Sequence, residues 1–502
     1  MLTQETIAMK NFLLAIFLPA TFLISFEKGK AQNFIAAENQ KEGSGDWILT
    51  KVHADTCKLT KPYKADLFCR QQDIEGYCSH TSIKAGETLS VYVSANPASS
   101  FTVDIYRMGY YDGKGARKMM GLGPLEAQPQ PTPGDGEKDL RDCKWTKSFD
   151  IKIPGDWISG VYVGKMTATV SGMQSYIVFI VKDDRKTDFL FQCSDFTWQN
   201  YNRWPEWRSG YDWHFENGEH NPWNSGEGPE ISFNRPYTFY FNGLPVGVGD
   251  PRFVGSGEFL MWEFPLAYWM ESKGYDVSYI SNLDVHINPE ELLRAEAFLS
   301  VGHDEYWSRQ MFDNVSAARD AGVNILFLSG NAVSGEVYLK PDSNGIPNRI
   351  MGRVQRFKDE EKLMGAKSYG VGLGDWTCIE PEHWLFKGTG MTKGDHIKDL
   401  VGWEYHGFPL GNQPAIKILA TGPMISREDS ADYAATIYEM PKGNFVFDAA
   451  TCWWNMLLSK PPLYQEKLNP MSAYKGHLVD FSKGDIRVQK MTENLFDKVT
   501  AK

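Results

Sequence analysis

Apolar positions between about residues 45 and 182 recur with a period of two. In "ETLSVYVSA" the alternation places Leu89, Val91 and Val93 on one side of the chain, and "SFTVDIYRM" and "SYIVFIVK" repeat it. Alternation of this kind predicts strands with one buried face. Clusters rich in glycine and proline, such as "QPQPTPGDG" at 128–136, separate the strands. The pattern therefore predicts an N-terminal antiparallel β-sandwich over residues 45–182.

A different rhythm follows the charged segment "VKDDRKT" at 181–187. Continuous apolar strands such as "DFLFQC", "AFLSVG" and "VNILFLSG" alternate with segments of helical pattern such as "SRQMFDNVSAARDAG". Helices are also expected over "FLMWEFPLAYWMESKG", where Pro265 must sit in the first turn or kink it, and from Pro289 through Ala297. Alternation of strands and helices favours a parallel sheet covered on both faces. We therefore expect a doubly wound, mainly parallel α/β domain over residues 188–495.

Three polar segments follow three of the predicted parallel strands. They are "SNLDVH" at 281–286, "GHDEYWS" at 302–308 and "SGNAVSG" at 329–335. Ligands of open parallel sheets bind outside the carboxyl ends of the strands, so these segments are expected to converge on one site. The central segment places four titratable residues in a row, His303, Asp304, Glu305 and Tyr306.

Spacing alone leaves several chemistries open for this cluster. Asp304 and Glu305 could form an acid/base pair as in glycoside hydrolysis, although adjacent side chains usually diverge in direction. A metal site could use His303, Asp304, His286 or Tyr306, but no H-x-x-x-H or H-E-x-x-H spacing occurs here. The purely structural alternative is that His303 and Asp304 cap the following helix while Tyr306 and Trp307 pack on its first turn.

Composition and charge narrow the classes of partner. The 502 residues contain 52 Lys plus Arg against 63 Asp plus Glu, for a net charge of −11. No basic cluster is long enough to track a phosphate backbone, so we expect no nucleic-acid partner. Many of the sixteen tryptophans lie in loop-like sequence, notably "TWQNYNRWPEWRSGYDWHF" from residue 197. Such a stretch could stack on sugar rings or pack in a large core.

The first 32 residues have the layout of a signal peptide. Lys10 gives a positive start, an apolar run covers 12–26, and Lys30-Ala31 precedes the mature-looking Gln32. The run is short for a bilayer, and no later segment reaches about 18 uninterrupted apolar residues. We therefore expect a secreted or periplasmic protein without stable membrane insertion.

Seven cysteines in an exported chain allow disulfides. The even set in the first third could form two bridges by any of three pairings, and the sequence does not choose between them. Its members are Cys57, Cys69, Cys78 and Cys143.

Four segments together resemble the family of the N,N-dimethylformamidase large (beta) subunit: "DIYRMGYYDGKGAR", "SVGHDEYWS", "GVNILFLSGNAV" and "LVGWEY". The resemblance spans residues 74–455 and implies cleavage of a small amide at a mononuclear iron held by two tyrosines and one glutamate. By motif, Tyr306 matches one tyrosine and Glu404 the glutamate. The other tyrosine is expected within "WEFPLAYW", where Phe264 stands about at the ligand position and Tyr268 lies one turn further on.

The resemblance also implies roles around such an ion. Phenolate and carboxylate oxygens suit trivalent iron, which would polarise an amide carbonyl and activate a water. The candidate catalytic residues are His303, Asp304 and Glu305 as acid/base groups, and Asn331 of "LSGN" as a contact to the carbonyl oxygen. The metal-ligand candidates are Tyr306, Glu404 and Tyr268.

We expect an exported hydrolase that acts on a carbon–nitrogen bond of a small amide, with iron as its cofactor. One alternative is a secreted protein that binds carbohydrate or a cell-surface polymer and has lost its metal site at Phe264. Another is a carbohydrate-active enzyme on the same scaffold, for which the tryptophan-rich stretch would supply stacking surfaces. The sequence leaves open whether the chain forms a homo-oligomer.

Overall fold

The computed structural model describes residues 33–53, 55–57, 67–205, 210, 228–238, 251–410, 415–426, 431–463 and 484–501. The expected export segment 1–32 lies outside these residues, as do the side chains of Cys57 and Cys69. The thiols of Cys78 and Cys143 are buried and free, so neither forms one of the disulfides that the sequence allows.

The N-terminal part is built of short strands in three sheets. In chain order these strands are β1 (Asp55–Cys57), β2 (Leu67–Arg70), β3 (Glu75–Cys78), β4 (Ser82–Lys84), β5 (Thr88–Ser94), β6 (Ser99–Met108), β7 (Ala116–Ala127), β8 (Phe149–Lys152), β9 (Gly160–Ala168) and β10 (Gln174–Lys182). The sheets have the orders β4-β10-β9-β6-β7, β3-β5-β8 and β1-β2. All pairings are antiparallel except that of β4 with β10.

One hydrophobic cluster joins the first two of these sheets. It contains Leu89 and Val91 of β5, Val103 of β6 and Ile177 of β10, all of them buried. Along β5 the burial alternates, as the period of two in the sequence requires. The N-terminal pattern therefore directs one face of each sheet into a common core.

The C-terminal part contains a large mixed sheet and a smaller one. In chain order its strands are β11 (Thr187–Cys193), β12 (Glu230–Ser232), β13 (Val277–Ser281), β14 (Ala295–His303), β15 (Tyr306–Ser308), β16 (Asn324–Gly330), β17 (Gly335–Lys340), β18 (Ile350–Arg356), β19 (Lys367–Thr377), β20 (His396–Val401), β21 (Glu404–Gly407), β22 (Lys417–Gly422), β23 (Ile425–Ser426), β24 (Tyr433–Glu439) and β25 (Phe445–Asp448). The large sheet has the order β13-β11-β14-β16-β25-β24-β21-β19-β20, with β22 on β24 and β23 on β19. The smaller sheet has the order β12-β18-β17-β15.

The α-helices are short, and most lie between strands of the C-terminal part. They are α1 (Phe34–Glu38), α2 (Asp195–Tyr201), α3 (Phe264–Ser272), α4 (Asn282–Ile287), α5 (Arg309–Ala321), α6 (Glu361–Met364) and α7 (Ile486–Thr500). In the part of the chain that the structure describes, no helix combines the length and apolarity needed to cross a bilayer.

Half of the large sheet is parallel, from β13 through β11, β14 and β16 to β25. Every residue of β16 is buried, which explains why this strand reads as a continuous apolar run. From β25 to β20 the pairings are antiparallel. The expectation of a mainly parallel sheet therefore describes only the first half, since the described strands after residue 367 are joined without α-helical crossovers and pair antiparallel.

Two predicted helices differ from the structure in their details. The segment before α3 is a π-helix over Phe259–Glu263, and Pro265 lies in the first turn of α3, where a proline is tolerated. The helix expected from Pro289 through Ala297 is a 3₁₀-helix that ends at Arg294. Ala295 already begins β14, because this residue pairs with Thr187 of β11.

Candidate functional site

A buried histidine and two buried glutamates meet at the carboxyl end of β14. His303 ends this strand, Glu305 follows it, and Glu404 begins β21. The His303 Nε2 atom lies 2.9 Å from Glu404 Oε2 and 3.4 Å from Glu305 Oε2. One potential ligand atom from each residue lies within 4.8 Å of the others, which is close enough for all three to bind one metal ion.

Glu258 approaches the other ring nitrogen of His303. Its Oε2 atom lies 3.6 Å from His303 Nδ1, and its side chain is buried at the start of the π-helix. Ligand histidines commonly direct their second nitrogen at a carboxylate, which fixes the ring orientation. We call His303, Glu305, Glu404 and Glu258 the histidine–carboxylate group.

Gly302 permits this arrangement. Its φ of +68° lies in the left-handed region, and a Cβ atom there would stand 2.7 Å from Cβ of Trp262. A side chain would therefore force the end of β14 away from the π-helix that carries Glu258. The glycine before His303 allows the two elements to approach each other.

Burial shapes the electrostatics of the group. Burial lowers the pKa of His303, but Glu404, Glu258 and Glu305 together raise that pKa well above its usual value. Burial also raises the pKa of Glu258 and of Glu404, although the neighbouring imidazole lowers both. Three carboxylates thus surround one imidazole, whose single positive charge can balance only one of them.

Many polar atoms of the group have no hydrogen-bond partner among the described residues. These atoms are both carboxylate oxygens of Glu258, Oε1 of Glu305, Oε2 of Glu404 and both ring nitrogens of His303. Buried polar atoms are normally hydrogen-bonded, so this concentration of donors and acceptors, paired only as ions with one another, could accommodate a cation.

Neighbouring side chains hold the group in place. The Tyr201 hydroxyl of α2 donates to Oε2 of Glu305 at 2.5 Å. The nearby Asn331 amide lowers the pKa of the Glu404 carboxyl. The indole of Trp403 packs edge-on against His303, with ring centroids 4.5 Å apart, and stacks on Trp262 at 5.5 Å.

The structure brings four of the sequence-predicted site residues together: His303, Glu305, Glu404 and Asn331. Asp304, between two members of the group, instead accepts hydrogen bonds from Gln192 and Ser300 at 2.6 and 2.8 Å. Burial raises the pKa of Asp304 to about 6. The alternation of side chains along an extended segment turns Asp304 away from its two neighbours.

The remaining candidates have other surroundings. The Tyr306 hydroxyl accepts a hydrogen bond from Arg353 Nη2 at 2.9 Å. Tyr268 packs against Tyr110 of the N-terminal part, with ring centroids 5.1 Å apart. Phe264 packs edge-on against Trp47 in the hydrophobic core at 5.8 Å. The structure therefore does not bring Tyr268 to the histidine–carboxylate group, and Phe264 does not occupy a ligand position there.

Sequence reasoning did not find Glu258 or Tyr201. Glu258 stands alone in "GSGEFLMW", and its only local signal is the pair of glycines around Ser256. Gly257 has a φ of +61°, and a Cβ atom there would lie 2.6 Å from the Trp198 indole. Such glycines indicate that the backbone packs closely against a neighbouring element, and this is the sequence signal for the segment that carries Glu258.

About half of the tryptophan-rich stretch lies outside the described residues, and its first part is buried. Trp198 and Trp204 are at most 1% exposed. The Trp204 indole donates to Oε2 of Glu75 at 2.7 Å and lies under the guanidinium of Arg70 at 4.8 Å. These two tryptophans serve the core, and they offer no stacking surface to a sugar.

The fold and the site together define an α/β protein with a candidate metal centre of one histidine and several carboxylates at the carboxyl edge of a sheet. Residues 102–467 match the family model described as N,N-dimethylformamidase beta subunit-like, C-terminal, and the chain belongs to this family. The match begins inside β6, so it includes strands of the N-terminal part as well as the site. A comparison with curated proteins finds no match.

Proposed function

We propose that the protein is a metal-dependent hydrolase that cleaves the carbon–nitrogen bond of a small linear amide. Membership of the dimethylformamidase-like family supports the reaction class. The observation that carries the metal is the histidine–carboxylate group, in which buried carboxylates outnumber the positive charges available to them. A divalent cation bound by His303, Glu305 and Glu404 would offset most of this excess.

The donor set favours a divalent ion. One imidazole and two carboxylates are typical ligands of zinc, manganese or ferrous iron. Ferric iron held by phenolates, the expectation from the family resemblance, would need Tyr306 and Tyr268 at the group. Tyr306 is engaged with Arg353 and Tyr268 packs on Tyr110, so these side chains do not fit that ligand set. The Tyr201 hydroxyl reaches the group at Glu305, so the described side chains bring one phenol there rather than the two of that ligand set. We therefore propose a divalent ion, such as ferrous iron.

The chain's own residues would prepare this centre for hydrolysis. A divalent ion bound there supplies a Lewis acid for an amide carbonyl and lowers the pKa of a bound water. Glu258 orients His303 through Nδ1 and leaves Nε2 free to bind. Tyr201 holds Glu305 by its hydrogen bond, and Asn331 would help to orient the neighbouring Glu404. Ligands oriented in advance in this way need little rearrangement during the reaction.

The burial of the site favours a small substrate. His303 and Glu305 have fully buried side chains, and the side chain of Glu404 is 10% exposed. A polysaccharide chain would need an open groove beside these residues, whereas a small amide needs only a narrow approach. The buried positions of Trp198 and Trp204 also argue against the carbohydrate alternatives.

Metal analysis combined with an amidase assay tests this function. The purified protein should contain or take up about one divalent ion per chain and release an amine from small formamides. Glu404→Gln and His303→Ala should lose both the metal and the activity, whereas Glu382→Gln, a change at an exposed glutamate, should retain them. A protein that binds no divalent metal after reconstitution, or that hydrolyses formamides equally well without it, would contradict the proposal.

Export remains a proposal that rests on the N-terminal sequence alone. N-terminal sequencing of the protein recovered from the producing cells tests it directly. A mature chain that begins near Gln32 and is found outside the cytoplasm would support secretion or a periplasmic location. Recovery of the intact N-terminus in the cytoplasm would contradict it.

A further inference from the structure

His406 and Asp448 form a second buried histidine–carboxylate pair next to the candidate metal centre. His406 lies two residues after Glu404 on β21, and Asp448 ends β25. Both side chains are completely buried. The His406 Nδ1 atom lies 2.8 and 2.9 Å from the two carboxylate oxygens of Asp448. None of the steps described above uses this pair.

The contacts of His406 define which ring nitrogen carries the proton. The backbone N–H of Ala332 donates to His406 Nε2 at 2.9 Å. A backbone N–H can only donate, so Nε2 must be the unprotonated nitrogen and Nδ1 carries the proton that Asp448 accepts. Asp448 thereby fixes the tautomer in which His406 is an acceptor toward Ala332.

The segment that His406 holds is conformationally unusual. Asn331 and Val333 have φ values of +52° and +54°, which non-glycine residues seldom adopt and β-branched residues adopt least. The segment is further anchored by Ser368, whose hydroxyl donates to the Ala332 carbonyl at 3.0 Å. Such a conformation persists only when surrounding contacts impose it. Residues with strained backbone conformations cluster at functional sites.

Asn331 connects this segment to the candidate metal centre. Asn331 is 6% exposed, and the preceding Gly330 packs closely on Glu404, because a Cβ atom at Gly330 would stand 2.3 Å from the Glu404 carbonyl oxygen. The nearby Asn331 amide lowers the pKa of the Glu404 carboxyl. The contacts thus run from Asp448 through His406 to the backbone of Ala332, and the adjoining Gly330 and Asn331 lie against Glu404, whose carboxylate would bind the metal. A change at His406 should therefore reach Glu404 through the position of Asn331.

We propose that His406 and Asp448 are positioning residues, which hold Asn331 in the conformation that orients the Glu404 carboxylate for metal binding. The proposal rests on the proposed function for its consequence, but its structural step can be tested without any metal. His406 itself does not touch the metal or the substrate in this assignment.

Two substitutions of His406 distinguish its positioning role from a general effect on packing. Asn places its amide where Nδ1 stands and leaves nothing at Nε2, whereas Gln can place an oxygen near Nε2. His406→Asn should therefore release Ala332, and His406→Gln should retain the acceptor. The readout in the metal-free protein is the side-chain amide signal of Asn331 in selectively labelled protein, assigned with Asn331→Ala.

We expect His406→Asn to shift the Asn331 signal in the same direction as Glu404→Gln, and His406→Gln to leave it close to that of the wild type. Affinity for Co²⁺ should fall about tenfold in His406→Asn, and adding Asn331→Ala to it should cost little more. An unmoved Asn331 signal in His406→Asn would overturn the proposal, as would equal shifts in the two His406 variants. If the wild type binds no Co²⁺ but the signal shifts as expected, the metal proposal fails and the positioning role stands.

Discussion

Arg107 and Glu271 form a completely buried, two-pronged ion pair between the N-terminal sheets and α3. The Nη1 and Nη2 atoms of Arg107 each donate to one oxygen of Glu271 at 2.9 Å. Tyr279 of β13 donates to the same carboxylate at 2.9 Å. The segment "DIYRMGYYDGKGAR", which resembles the family, therefore includes a residue that fastens the two parts of the chain together.

Loss of this pair should destabilise the protein strongly. Arg107→Met leaves the Glu271 carboxylate buried without its cation, which typically costs about 3–5 kcal/mol. The free energy of unfolding in urea measures this loss. The matched control is Lys118→Met, which removes one partner of the exposed pair with Asp104 and should cost less than about 1 kcal/mol. Equal losses in the two variants would contradict the assigned role.

The double variant Arg107→Met with Glu271→Leu refines this test. Replacing both charges by apolar side chains removes the unpaired carboxylate, so part of the lost stability should return. A double variant less stable than Arg107→Met would show that Glu271 contributes mainly through its other contacts, such as that with Tyr279.

Glu258→Gln should affect metal affinity and stability in opposite directions. The glutamine keeps the volume but not the charge that faces His303 Nδ1, so affinity for Zn²⁺ should fall about tenfold. Without metal, the same change removes a buried carboxylate whose oxygens form no hydrogen bond with the described residues, so the thermal midpoint should rise. Isothermal titration and thermal unfolding measure the two effects. A variant with unchanged zinc affinity would contradict the orienting role of Glu258.

Elements whose structure depends on nearby residues could be predicted from the sequence, and elements that depend on distant pairings could not. The parallel strands β14 and β16 are long and buried, so their apolar runs reveal them. The antiparallel half could not be predicted in this way. β21 has four residues and pairs with β24, although β22 and β23 lie between them in the sequence and β22 also pairs with β24. Such non-local pairing leaves no periodic signal in the sequence.

The residues of the candidate site likewise differ in whether a local sequence pattern reveals them. His303 and Glu305 lie in one polar segment at a strand end, which the sequence reveals, while Glu404 came from the family resemblance. Glu258 reaches the group only because Gly302 lets the π-helix approach β14, a tertiary contact that no local pattern contains. The direction of each side chain also decides its role, and the strand geometry turns Asp304 toward Gln192.

Stability should fall as the pH rises because of Glu263. Burial raises the pKa of this carboxyl from 4.5 to about 8, so the folded state holds the proton more tightly than the unfolded state does. Its favourable contribution is fully present below about pH 4.5 and is lost as the pH rises through about 8. Glu263→Gln cannot ionise and keeps an acceptor for Ser194 and Trp198. The stability of this variant relative to the wild type should therefore increase between pH 5 and 9.

Urea midpoints at pH 5, 7 and 9 measure this difference. The control Glu382→Gln changes an exposed glutamate and should follow the wild-type pH dependence. Parallel curves for the wild type and Glu263→Gln would refute the assigned linkage.

Tyr306→Phe distinguishes the two ligand sets that the family resemblance and the structure suggest. If Tyr306 serves chiefly as the acceptor for Arg353, its loss should cost about 1–2 kcal/mol of stability and leave the bound divalent metal unchanged. If Tyr306 binds ferric iron as a phenolate, the iron-reconstituted wild type should have a visible tyrosinate absorption band that the variant loses. Elemental analysis and the visible spectrum decide between these outcomes. We expect a colourless wild type and equal metal content in both proteins, and a band that disappears in Tyr306→Phe would refute the assignment to His303, Glu305 and Glu404.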